Sequence, residues 1–540
     1  MANFVTYDFT GGTDYSKAAP NIEGTALAVN MYTQSNTEGD NKDQRTFLKS
    51  CPGIRYFDAI GTGDHCDGIF VPSVGLEQDE YKPSLFVANG GNVYRLSPDG
   101  TTKERIGGYA IGNPVYFAET GGERAILLWV DSYNIFGYEL KTGAIPTISL
   151  PAKVDGDDFI HPTHIAVVDG SIVLNDKDSS YVYYSIKFPL NTATREVFDI
   201  VDGEVQYEED GITVKTVTVN SGTWCFYDDY HVQKYFNASA SSDKCTALAV
   251  TDDILTLYGP TSIEFWKRGD AESYQTWQRI SHTNTGEYGL AAPFSVVTMD
   301  NCQLFIGTLR GQVRTVNLIK GTEVVKVSPY WLNELLRTDF VDNIRAWCYT
   351  QDGHNFYLLS IGSTCYAYDT TTGQWHTRVS RNYYSATVEY YPLFACGFNG
   401  KIITGSCSSN ILYELDPEYY YEELDSEHKL PLQRIRQTPL LTADNKPYLL
   451  QELTIECTTG AMDTYGEQGK VLLQVSKDGG YTYGNILEGI TGQRGQYNIR
   501  VRWLNLGMSR QSVLRITYTE PTDYVLSNGS LRIQPLNYPI

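Results

Sequence analysis

Between about residue 85 and residue 415 the chain repeats one pattern: a short apolar strand, a brief polar turn, a second strand rich in Tyr, Val and Ile, and a loop. Copies begin at Leu85 (LFVANGGNVYRLSPDG), Ile126 (ILLWVDSYNIFGYELKTG), Ala247 (ALAVTDDILTLYGPTSIEFW), Phe356 (FYLLSIGSTCYAYDTTTGQW) and Lys401 (KIITGSCSSNILYELDPE), with weaker ones near Ile165 and Cys302. The starts fall roughly 40 to 55 residues apart, with one gap of about 80, and such periods punctuated by Gly, Asn and Asp turns mark a radial array of small antiparallel sheets. A single hairpin cannot bury a face in water, so the units must pack in series and close on themselves. The fold class is therefore all-β, a β-propeller of six or seven blades.

Length leaves room for more than the propeller, because six or seven blades absorb some 350 of the 540 residues. No run of 18 apolar residues is present to cross a bilayer, which argues against stable membrane insertion. The opening MANFVTYDFTGG lacks the basic and apolar regions of an export signal, so synthesis and folding are expected in a cytoplasm. None of the ten cysteines forms a CxxC pair, and Cys245, Cys302, Cys348 and Cys396 lie in or beside apolar strands, as small buried hydrophobes do in a reducing compartment. The formal charge of −22 has the wrong sign for gripping a phosphate backbone and suits a surface that nucleic acid passes without sticking; it also simply keeps a protein soluble.

Tyrosine, with 41 copies, is in excess. It fits half-buried strands and also protein interfaces. Side chains on a strand alternate faces, so the run Tyr419, Tyr420, Tyr421 cannot all point inward and is a candidate assembly contact.

Residues 1–60 precede the repeat and contain two strand-like pieces, Thr25 to Tyr32 and Thr46 to Phe57, expected to close the ring by adding to the last blade. Residues 61–430 form the propeller, interrupted at about 199–236 by an inserted subdomain with an acidic stretch, Asp199 to Asp210, and an alternating strand, Ile212 to Val219. After a linker-like segment, residues 435–522 alternate cleanly: Ile499, Val501 and Trp503 oppose Arg500 and Arg502, and Leu514, Ile516 and Tyr518 oppose Arg515 and Thr517. That period of two predicts an antiparallel, β-sandwich-like C-terminal domain, followed by a tail over 523–540. No residue from 489 to 519 is acidic, which makes Arg500, Arg502 and Arg515 further candidate contacts, although outward arginines on strands are commonly just solvated.

Catalytic signatures are missing. The turn SKDGGYTYG, Ser476 to Gly484, resembles an Asp-box of the kind found in sialidases, but only one is clear and it lies beyond the blades; turn formation suffices to explain it. There is no phosphate-binding loop, nucleophile elbow or HExxH helix. His161 and His164 point to opposite faces of an extended segment, His65 and Cys66 have no second ligand pair, and Asp176 and Asp178 lack the other ligands of a calcium loop. The reading is of a chain with no catalytic residues, no cofactor and no metal. The alternatives are a carbohydrate-active propeller, sialidase-like or depolymerase, and a non-enzymatic scaffold, which lacks WD-type signatures at the repeat period.

Several stretches in register resemble the tail hub or nozzle proteins of short-tailed bacteriophages, also called packaged-DNA stabilisation proteins. They are VNMY (Val29 to Tyr32) with FLKSCPGIRYF (Phe47 to Phe57), ALAVTDDILTLYGPTSIEFW, EYGLAAPFSVVTMDNCQLFIG (Glu287 to Gly307), and VSKDGGYTYGN with RVRWLNLGMSRQSVLRITYTEP. The resemblance implies a structural virion protein of the tail, assembled in the host cytoplasm. It further implies a homo-hexameric ring below the head-to-tail adaptor or portal complex, carrying tail spikes or fibres. Such a ring retains packaged DNA and lines the ejection channel, through which genomic double-stranded DNA passes without tight binding.

Overall fold

Seven antiparallel sheets stand around one axis in a computed structural model that describes residues 3–7, 9–12, 26–35, 46–156, 158–187, 190–210, 212–238, 243–269, 276–280, 288–309, 313–338, 343–443 and 446–536. Thr25, Gly211 and the last four residues of the expected tail lie outside the described residues. We number the blades 1 to 7 in chain order: 66–108, 116–139, 165–237, 247–279, 288–326, 345–378 and 392–416. Their innermost strands, Cys66–Phe70, Tyr116–Glu119, Ile165–Val168, Ala247–Thr251, Val297–Met299, Arg345–Gln351 and Pro392–Phe398, touch in that order, and the seventh returns to the first.

Packing gives the same count. Each neighbouring pair of blades encloses its own buried apolar cluster, from Phe86, Leu127 and Trp129 between blades 1 and 2 to Leu85, Ile403 and Leu412 between blades 7 and 1. Burying one such side chain contributes about 1.5–3 kcal/mol, and none of these faces could be covered by its own blade. Turns of the repeat use left-handed residues where a tight hairpin demands them, as at Asp352 and Gly353 with φ of 51° and 77°.

The ring is latched by Gly53–Ala59, which pairs antiparallel with Ile411–Asp416 of blade 7, Leu415 opposite Ile54. The rest of the first 60 residues has a different role from the one expected. Asn3–Tyr7, Met31–Ser35 and Thr46–Ser50 join a six-stranded sheet with Tyr448–Cys457, Val501–Ser509 and Val525–Pro535, which is one layer of the C-terminal sandwich. The switch falls at Pro52, which has no N–H for a ladder, and Gly53, where a Cβ would lie 2.1 Å from the Tyr419 carbonyl oxygen. The expected tail is likewise corrected: Val525–Pro535 is an interior strand, flanked by Tyr448–Cys457 on one side and Asn3–Tyr7 and Thr46–Ser50 on the other, with Leu526 and Leu531 buried.

The second sandwich layer is continuous with the propeller. Leu27–Val29 lies between Gln374–Arg378, the outer strand of blade 6, and Arg434–Gln437, and the sheet runs on through Gln511–Tyr518, Gly469–Ser476 and Leu487–Gly492. The sandwich core takes Phe9, Met31 and Leu48 from the N-terminus and Val501, Trp503, Leu514 and Ile516 from the alternating strands. Propeller and sandwich are thus joined by a shared hydrogen-bonded sheet as well as by a linker.

The inserted subdomain interrupts blade 3 between its third strand, Tyr181–Tyr184, and its fourth, Tyr235–Asn237. Thr194–Phe198 pairs with Thr216–Asn220, and Ile200–Val201 with Glu204–Val205 around a turn in which Asp202 and Gly203 both have positive φ. The strand expected from Ile212 starts at Thr216, because Asp210 accepts hydrogen bonds from the N–H groups of Ile212 and Thr213 and holds them in a turn.

Candidate functional site

Function in a propeller is first sought on its axis, where the inner strands converge. Here side chains cross it. The Tyr116 and His164 rings lie 4.1 Å apart between centroids, Phe294 stacks within 6.4 Å of both, and the Arg345 guanidinium sits 4.8 Å over Phe294. These residues come from blades 2, 3, 5 and 6. Burial drives the His164 pKa down to about 3, so the ring is neutral and acts as a packed aromatic.

Beside this layer a recess of ≈ 360 Å³ opens between blades 1, 6 and 7, lined in part by His65, Asp67, Arg345 and Glu389. Burial raises the pKa of both Asp67 and Glu389; for Asp67, a hydrogen bond from the Tyr109 hydroxyl and the nearby His65 and Arg345 oppose the rise. His65 Nε2 lies 3.1 Å from Asp67 Oδ1. Among the described residues one arginine, Arg345, lines the recess, whereas holding a sugar carboxylate in the sialidase manner takes arginines converging from several blades.

The other sequence candidates resolve into local structure. Asp478 accepts hydrogen bonds from Ser476 Oγ at 2.7 Å, Thr482 N–H at 3.0 Å and Thr482 Oγ1 at 2.5 Å, so the Asp-box serves its own turn. His161, Asp176 and Asp178, treated separately in sequence, come together: His161 Nδ1 lies 2.5 Å from Asp178 Oδ2, and Asp176 accepts from the His161 N–H and Ser179 Oγ. Lys153 adds its ammonium 3.5 Å from Asp178, and hydrogen bonds within the group occupy all three side chains.

Of the candidate contact residues, the three tyrosines are half-buried in intramolecular contacts. Tyr419 bonds Glu423 and lies under Arg55, Tyr420 faces Arg434, and Lys429 sits over Tyr421. Arg515 donates to Gln437 Oε1 from Nε and Nη2 and stacks 3.7 Å over Tyr483. Arg500, just ahead of Val501–Ser509, and Arg502, on that outer strand of its sheet, face solvent.

The axial residues were missed because they are scattered over four blades. A signal does exist: Pro114, Pro162 and Pro293 each stand one or two positions ahead of Tyr116, His164 and Phe294, at the entry to an inner strand, where proline is tolerated.

Fold and site together define a propeller-and-sandwich protein with a side-chain-filled axis and a sheet-fused C-terminal module. Two family models match in register with that architecture: bacteriophage P22 Gp10, beta-propeller, over residues 133–420, and bacteriophage P22 Gp10, beta-sandwich, over residues 433–534. The chain belongs to this family of phage tail nozzle, or packaged-DNA stabilisation, proteins, which are structural components of the virion.

No curated protein sequence matches the chain. Among solved structures, a chain of YCF48 bound to D1 peptide is 10% identical, with 68% of this chain and 97% of that one covered at a TM-score of 0.33. The extracellular domain of the putative hybrid two component system BT4673 from B. thetaiotaomicron is 9% identical, covering 83% and 47% at 0.36. A chain of the mitotic checkpoint complex is 8% identical, covering 67% and 96% at 0.33. At these scores the family assignment rests on the family models alone.

Proposed function

We propose that six copies of the chain form a ring below the head-to-tail adaptor, where it retains packaged DNA, lines the ejection channel and anchors tail spikes or fibres, without catalysis. The observation that carries this reading is the match of both modules to one virion-protein family, in order and over most of the chain. The axial layer of Tyr116, His164 and Phe294 adds a constraint: a duplex cannot pass through the propeller, so the conduit must be the space enclosed between copies. A surface of net charge −22 fits a wall that the duplex slides past, felt only within a Debye length of roughly 8 Å at physiological salt.

Negative-stain imaging of the chain bound to its adaptor tests the ring. Six-fold rings with an open centre are expected. Any other symmetry, or a single copy per adaptor, contradicts it.

A further inference from the structure

The two poles of the molecule carry opposite charge. At one pole, the inserted subdomain of blade 3 exposes Asp202, Glu204, Glu208 and Glu209, none of which has an ion-pair partner among the described residues, around the exposed Tyr207 and Ile212, the latter 82% accessible. At the other, the two outer strands Leu487–Gly492 and Val501–Ser509 run side by side along one margin of the sandwich, tied by a hydrogen bond from Trp503 Nε1 to the Leu487 carbonyl. That margin exposes Leu504 and Met508 beside Arg502 and Arg510, which have no acidic partner among the described residues, and Arg500, which lies 3.5 Å from Glu452.

Topology sets these surfaces far apart. The sandwich is joined to the outer strands of blades 6 and 7, and in a ring of seven the blade across from that junction is blade 3. The subdomain also leaves blade 3 at its outer edge, between the third and fourth strands. One molecule therefore cannot bring its own two patches together. Each has exposed apolar side chains beside unpaired charges of one sign, while the opposite-sign Lys215 and Glu488 nearby are ion-paired with Asp199 and Lys470; that is the composition of an interface steered by charge and held by burial.

We propose that the acidic subdomain of one copy docks on the arginine-bearing sandwich margin of a second copy of this chain. The contact is heterologous, head to tail, and propagates a ring when the rotation between copies closes. It rests on the ring reading above and names the surfaces that would build it. The bland role of outward arginines, guarding an exposed strand against edge-to-edge pairing, explains the charge but leaves the acidic patch at the opposite pole without a counterpart.

The test is sedimentation velocity on the purified full chain at low and high salt, with two charge-reversal variants, Arg502→Glu/Arg510→Glu and Glu204→Arg/Glu208→Arg. The wild type is expected to self-associate at low salt and to dissociate as salt rises. Each variant alone should associate at least about tenfold more weakly, and an equimolar mixture should recover assembly because the reversed patches complement each other. A wild type that stays monomeric at low salt overturns the proposal. So do variants that associate like the wild type; six-fold rings on the adaptor would then show that the ring reading stands with a different interface. A third arm adds duplex DNA: if the arginine margin binds it and Arg502→Glu/Arg510→Glu abolishes that binding without changing self-association, the margin is a DNA surface and the proposal fails.

Discussion

Asn30 and Val379 exchange two hydrogen bonds, the Val379 N–H donating to Asn30 Oδ1 at 3.1 Å and Asn30 Nδ2 to the Val379 carbonyl at 3.0 Å. The same amide donates to the Gln433 carbonyl at 2.9 Å, and Asn30 itself holds φ of 53°, a left-handed conformation that Asn tolerates better than most residues. Asn30 thus pins three segments where the propeller sheet enters the sandwich. Replacing it with Ala strands one buried N–H and two carbonyls and keeps the backbone strain. The expected loss in Asn30→Ala is about 2–4 kcal/mol, read by urea denaturation.

The ring latch should be locally weak relative to the blades it closes. Ile54 is fully buried between blades 6 and 7, so Ile54→Ala is expected to cost about 2–5 kcal/mol. Native-state hydrogen exchange should rise in the 392–416 sheet before it rises in blade 4. Ile212→Ala, on the exposed subdomain, serves as the neutral control, within about 0.5 kcal/mol of wild type.

His164 gives a pH signature. Its pKa falls from 6.5 in the open chain to about 3 in the folded protein, so as pH drops below 6.5 the unfolded state takes up a proton that the folded state refuses. Stability is whole above that point and declines towards pH 3. At pH 4 the loss from this group is about 3 kcal/mol, taking 1.36 kcal/mol per pH unit over the gap from 6.5. The variant His164→Phe, which keeps a ring between Tyr116 and Phe294, should lose less stability than wild type between pH 6.5 and 4 in paired denaturation curves.

How much of this was legible varies from residue to residue. Blades were readable because each hairpin carries its own turn and its own alternation, both local properties. The sandwich strands around Trp503 were readable for the same reason. Partners were not: nothing near Thr46–Ser50 announces that it lies beside Val525–Pro535, because ladder pairing between the ends of the chain is set by the assembled core. The strand Val525–Pro535 was hidden by its run LSNGS, in which Gly529 looks like a turn. In the structure Gly529 leaves room for the Phe9 ring, whose nearest atoms would be 2.3 Å from a Cβ there. Blade number followed from the cycle of inner strands, since blade 5 begins in a degraded repeat and blade 3 is split by its insertion.

Thiol reactivity offers a quick check of packing. All ten cysteines are free, five are buried, and burial pushes Cys66, Cys225, Cys365, Cys407 and Cys457 up to about 12. At pH 8 almost none of these is thiolate, the form that attacks a disulfide reagent. Ellman titration of the native protein should register fewer than about half of the thiols in the time that urea-unfolded protein reacts completely. Rapid modification of all ten would contradict the packed interblade cores.

DNA retention by virus particles assembled without this chain tests the central claim most directly. Particles that package their genome in its absence are expected to lose most of it, seen as DNA that becomes accessible to added nuclease, and purified chain supplied during assembly, before the genome escapes, should preserve protection. Particles that keep a nuclease-protected genome without the chain would contradict the proposed role of the chain as the structural closure of the exit channel.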